Sequence, residues 1–175
     1  MKQILVAVMS VALVLSFAAS AAAAPSAVDV EAKIAAKLVD AFGDDAKTIR
    51  VTWVDGKAIL TGKVVERSTQ ELAEQVALYF GEVSDVDNQL KAEKDRSLVN
   101  GQLEDEGRDA ALESEAKATL GSEIGSHAKD VNVEACEGVV ALRGRVPDET
   151  RHKLALDAIG KMSRVSKVID LLRVK

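Results

Sequence analysis

The chain repeats itself at an interval of 82 residues. Val51, Gly56, Leu60, Gly62 and Val64 recur without a gap as Val133, Gly138, Leu142, Gly144 and Val146. Leu72-Ala73 recurs as Leu154-Ala155, Val83-Ser84 as Val165-Ser166, Val86 as Val168 and Leu90 as Leu172. Upstream, Glu31, Ala36, Leu38 and Gly43 recur as Glu113, Ala118, Leu120 and Gly125. A repeat of this length is a whole small domain, beyond the roughly 20–50-residue periods of solenoids. The recurring positions are mostly apolar or glycine, which set a fold. The positions that differ are mostly polar, which set what a surface meets.

Each unit reads helix, strand, strand, helix, strand. Val30, Ile34, Leu38 and Phe42 recur at helical spacing before Gly43. Ile49, Val51 and Trp53 alternate with Arg50 and Thr52 as a half-buried strand. Asp55-Gly56 suits a two-residue type I′ hairpin turn, because both residues tolerate its backbone angles. Ala58, Leu60, Gly62 and Val64 face inward on the returning strand. Ser68 with Glu71 is a capping-box pair opening the second helix, whose stripe is Leu72, Val76 and Tyr79 or Phe80. Val83, Val86 and Leu90 mark the last strand. The second unit repeats this through Leu112, Ala116 and Leu120, then Val131, Val133 and Ala135. Glu137-Gly138 takes the turn, and Thr150 with Lys153 replaces Ser68 with Glu71, so the capping acid is lost. A strand–helix–strand connection within one sheet implies a parallel pair with a right-handed crossover. The expected fold is α+β: two tandem αββαβ domains, each a three-stranded mixed sheet with two helices packed on one face.

The N-terminus reads as a secretory signal peptide. Met1-Lys2-Gln3 is a short basic start, Ile4 to Ala19 is an uncharged apolar run, and Ser20 to Ala24 is a tract of small residues. Ala19-Ser20-Ala21 and Ala21-Ala22-Ala23 both fit a cleavage site, so residues 1–23 are read as the cleaved segment. No cysteine lies there to carry a lipid. The domains are then 26–93 and 107–175, joined by a polar linker, 94–106, whose C-terminal part can start the next helix early. Each unit has about 65 residues, near the lower limit for folding without staples. The single cysteine, Cys136, allows no intramolecular disulfide. Each core must be efficient, or the units must lean on each other.

With the pattern of both units in hand, the chain resembles a tandem pair of BON (bacterial OsmY and nodulation) domains. The resemblance rests on the αββαβ order, on Val51 to Gly62 and Val133 to Gly144 with Gly62 and Gly144 in the second strand, and on Val83 to Leu90 and Val165 to Leu172. It covers nearly all of the chain beyond the signal. Asn88 and Gln89 interrupt the apolar run of the first copy's last strand. The resemblance implies a periplasmic or envelope protein that meets phospholipid surfaces and serves in osmotic or envelope stress. It carries no catalytic residues.

The residues by themselves also offer no active site. His127, His152 and Cys136 do not lie at metal-ligand spacing, no nucleophile motif surrounds any serine, and the glycines have no phosphate-loop pattern. No enzyme activity, cofactor, metal or small-molecule substrate is expected. The net charge of −5 argues against nucleic acid as a partner. Its distribution is the functional lead. Residues 28–93 carry 13 acids and 8 bases, whereas residues 110–175 carry 10 and 11. Arg143, Arg145, Arg151, Lys153, Lys161, Arg164, Lys167 and Arg173 form a basic series on the returning strand, second helix and last strand. Such a field suits an anionic phospholipid membrane surface, at roughly 1 kcal/mol per cation within a Debye length. The other reading is a protein-binding or chaperone-like module that acts on periplasmic proteins through sheet faces, strand edges or apolar helix surfaces. Gly56, Gly62, Gly138 and Gly144 are structural. Cys136 falls on the outward series with Asn132 and Glu134. An exposed thiol there could form an intermolecular disulfide, but its counterpart, Val54, favours a partly covered strand residue. Trp53 continues the inward series, which favours the core or its rim over a membrane anchor.

Overall fold

A computed structural model describes residues 26–93 and 102–175. Residues 1–25, with the stretch read as a signal peptide, and residues 94–101, within the stretch read as a linker, lie outside the described residues. The first domain comprises α1 (Ala27–Phe42), β1 (Arg50–Val54), β2 (Lys57–Val64), α2 (Arg67–Ala77) and β3 (Asp85–Ala92), with a 3-10 segment, Gly43–Thr48, after α1. The second comprises α3 (Gln102–Ile124), β4 (Val131–Cys136), β5 (Val139–Val146), α4 (Glu149–Gly160) and β6 (Lys167–Val174), with the 3-10 segment Gly125–Asp130. In both, the first two strands pair antiparallel and the last pairs parallel to the second. The expected α+β architecture is present twice. Helix α3 begins inside the stretch read as the polar joint, whose C-terminal part is therefore helical.

Most recurring residues now have a physical reason. Asp55 and Gly56, and Glu137 and Gly138, have positive φ, as a type I′ turn requires. The backbone N–H groups of Ser84 and Ser166 donate to Gly56 O and Gly138 O, each at 2.8 Å, and their hydroxyls reach the same oxygens. The Val-Ser pair thus fastens the last strand to the turn. Glutamate at non-glycine positive φ is unfavourable. At Glu137 the conformation is held by Asp109 Oδ1, which accepts from its N–H at 3.0 Å. Glu31 accepts from Trp53 N–H at 2.9 Å, and Glu113 accepts from Ala135 N–H at 3.1 Å. In each domain one helical carboxylate caps an edge-strand donor that no strand can pair.

Gly62 and Gly144 have φ of +140° and +157°. A Cβ on Gly62 would sit 2.5 Å from Thr48 O, and one on Gly144 would be closer still to Asp130 O. The glycine lets the end of the 3-10 segment lie directly on the central strand.

The helix starts differ from expectation. Helix α2 begins at Arg67, so Ser68 is inside it and buried, and no side chain caps the helix locally. Instead Asp45 reaches across from the 3-10 segment to accept from Val65 N–H and Glu66 N–H. In α4 the N-cap is Asp148, which accepts from Arg151 N–H at 2.8 Å, rather than Thr150.

The two domains share a core. Val30, Ile34, Leu38, Leu60, Leu72 and Val76 of the first cluster with Cys136, Ala141, Ile169 and Leu171 of the second. These four lie on the face of the second sheet turned away from α3 and α4. The opposite face, with Val133, Val140, Leu142 and Leu172, packs on Leu112, Ala116, Leu120 and Ile159. The order of layers is first sheet, α1 with α2, second sheet, α3 with α4. The first domain's helices are covered on both sides. Leu72 is accordingly 3 % exposed, while its counterpart Leu154, on an uncovered helix, is 39 % exposed.

Candidate functional site

The stacking decides where the basic series goes. Arg143 and Arg145 point away from their own helices, as the alternation implies, but that direction leads toward the first domain. Arg143 Nε donates to Gln75 Oε1 of α2 at 2.9 Å, and Asn132 shares that acceptor. Lys167 donates to the carbonyl of Ala41 at the end of α1. The Arg173 guanidinium lies 4.3 Å from the centre of the Tyr79 ring, with Lys37 on the same ring at 5.7 Å. Arg143, Lys167 and Arg173 therefore hold the domains together. Arg151 pairs with Asp148, and Arg164 reaches Arg108 O at 2.8 Å and Glu115 at 3.7 Å. Arg145, Lys153 and Lys161 are exposed and take no partner among the described residues.

Where β5 and β6 meet the end of α2, a cleft of about 200 Å³ opens between the domains. Arg143, Arg145 and Arg173 line one wall; Leu78, Tyr79, Phe80 and Gly81 line the other. Tyr79 and Phe80 meet edge to face at 5.2 Å, which fixes that wall.

Cys136 is fully buried against the first domain, more covered than its sequence suggested. Burial, joined by the carboxylate of Glu71, pushes its thiol well above the usual range. It is held as an inert thiol. Trp53 is half-buried at the rim, and its indole N–H donates to Glu82 O at 3.2 Å.

The profile of the BON domain family matches residues 26–94 and again 108–175. This chain belongs to the BON domain family. It is 27 % identical over 128 residues to an uncharacterized protein in the gshII 5′ region of Anaplasma centrale, covering 73 % of this chain and 81 % of that protein. Among solved structures it is similar to the C-terminal domain of CdsD, a structural protein of the type III secretion system of Chlamydia trachomatis. That match has 13 % identity and a TM-score of 0.32, and covers 86 % of this chain and all of that one. A second CdsD structure gives the same identity and TM-score over 84 % of this chain and 92 % of that one.

BON is a non-catalytic family with membrane-related roles, and its proteins are typically periplasmic or envelope-associated. No helix among the described residues of the two BON domains is long and apolar enough to cross a membrane. Among the same residues no group of three His, Cys, Asp or Glu is placed to hold a metal. Sequence reasoning missed the junction between the BON domains, and with it Gln75 and Tyr79. A signal was present. The last strand of the second BON domain carries Ile169 and Leu171 where the first carries Asp87 and Gln89. A strand apolar on both faces is one whose sheet is covered on both faces.

Proposed function

We propose that this protein is a non-enzymatic module of the periplasmic envelope that binds peripherally to anionic phospholipid surfaces and serves the cell under osmotic or envelope stress. The observation that carries this reading is the cation surplus of the second domain, in which Arg145, Lys153 and Lys161 stand exposed without partners among the described residues. The membrane-related character of the BON family supports it. Exposed cations attract an anionic surface without insertion, and salt screens that attraction within about 10 Å at 0.1 M. Co-sedimentation of the full mature chain with phosphatidylcholine vesicles, with and without phosphatidylglycerol, tests the reading. Binding should need the anionic lipid and fall steeply with salt. Equal binding to neutral vesicles, or none to either, would contradict it.

One observation favours a second reading, a protein-binding or chaperone-like module. The outer face of the first sheet is uncovered, Val54 on it is 54 % exposed, and β1 and β3 are sheet edges. Such a surface can add a strand from a partner chain. Binding of that kind should survive salt and be weakened by Val54→Lys in a pull-down from periplasmic extract.

A further inference from the structure

Arg143, Arg145 and Arg173 project from the same face of the second sheet. Arg145 and Arg173 are direct register partners on β5 and β6, and Arg143 is two residues along β5. Like charges directly opposite each other destabilise a sheet. No described carboxylate pairs with any of the three. Arg143 spends only Nε on Gln75 and Arg173 lies against the neutral Tyr79 ring, so the cluster keeps its charge. The first domain has Lys63 opposite Lys91 at the matching register, with Thr61 as the third residue. There the sheet face is open and the lysines are free to diverge. In the second domain the cations are guanidiniums, they are walled by Tyr79 and Phe80, and they line a defined cleft.

Guanidinium groups offer paired N–H donors that match the oxygens of phosphate, and they bind it bidentately where lysine acts as a point charge. The geometry points to a binding site for a phosphate ester in the cleft between the two domains, with its oxygens on Arg145, Arg173 and the free end of Arg143. The organic part would lie against Leu78 and Phe80. The inference goes beyond the lipid reading, because the same chemistry belongs to a phospholipid headgroup and to a soluble phosphate ester.

The test uses the full chain, Arg145→Glu, and the double variant Lys153→Glu/Lys161→Glu. Arg145 is exposed and has no partner among the described residues, and its reversal sets an acid opposite Arg173, so the circular dichroism spectrum should be unchanged and the melting temperature no lower. Glycerol 3-phosphate is titrated while the amide resonances of Tyr79, Gly144 and Arg145 are followed by NMR, and vesicle binding is measured beside it. Arg145→Glu should weaken the response at least about tenfold, the worth of one charge-assisted pair. The double variant should leave the soluble response intact. A glycerol 3-phosphate response supports the site and names a soluble source. Vesicle binding alone, lost far more in Arg145→Glu than in the double variant, supports the site and names a headgroup. If glycerol 3-phosphate shifts nothing and Arg145→Glu costs vesicle binding no more than the double variant, the cleft is not a phosphate site. The lipid reading would then survive wherever anionic vesicles still bind. Conversely, a glycerol 3-phosphate response without vesicle binding would keep the cleft and remove the lipid reading.

Discussion

At the scale of single residues, the fold depends on a few close approaches. Gly62→Ala and Gly144→Ala should each destabilise by well over about 1 kcal/mol, since alanine is strained at positive φ and its methyl would overlap a backbone oxygen. Gly121 is the contrast: it lies in α3 with nothing near its missing Cβ. Gly121→Ala should stabilise by roughly 0.5–1 kcal/mol. Urea denaturation of the three variants checks both signs. His152 supplies a pH dependence near neutrality that its counterpart in the first domain lacks. Its ring meets Asp170 at 2.9 Å and Glu149 at 3.3 Å. Burial opposes its protonation, but the two carboxylates outweigh it and raise its pKa. The resulting stabilisation is complete below about pH 6.5, the value in the unfolded chain, and is lost as pH rises through the elevated folded value. Gln70 stands in the matching place in the first domain and donates to Leu90 O without titrating. The melting temperature should therefore rise as pH falls from about 8 toward 6.5, and His152→Gln should flatten that rise.

At the scale of elements, strands, hairpins and helix faces were legible because period and turn chemistry are local. The glycine and Val-Ser recurrences marked the right positions, but not their partners, which lie 14 to 28 residues away in the chain. The α2 start was misread for the same reason: Ser68 with Glu71 is a sound local signal, but Asp45, 21 residues before Glu66, caps the chain instead. The basic series was legible as composition, not as a surface. Nothing local distinguishes an arginine facing solvent from one facing another domain. The difference lies in β6, where Ile169 and Leu171 stand on the covered face at 3 % and 1 % exposure. Leu171→Ala should cost about 2–5 kcal/mol in denaturant, as for other fully buried leucines. The same change at its counterpart, Gln89→Ala, should fall within about 0.5 kcal/mol.

At the scale of the whole molecule, two copies of one fold have been made unequal so that they stack once. The sheet of the second domain covers the helices of the first. Repeating that contact would set Lys161, in the place of Tyr79, against Lys91, in the place of Arg173. Like charges oppose a further layer, so the outer sheet and the outer helices stay free to meet other things. The same inequality makes the arginine cleft, which exists only while the domains are docked. Cys136 reports that docking, being the chain's one thiol and covered by α2. The deciding measurement is its reaction rate with a small disulfide reagent, in the native full chain and in urea. The stacked arrangement predicts a native thiol that stays unreacted over the time in which the unfolded chain reacts completely. Prompt, stoichiometric reaction of the native protein would show that the domains do not cover it, and would remove the cleft together with the stack.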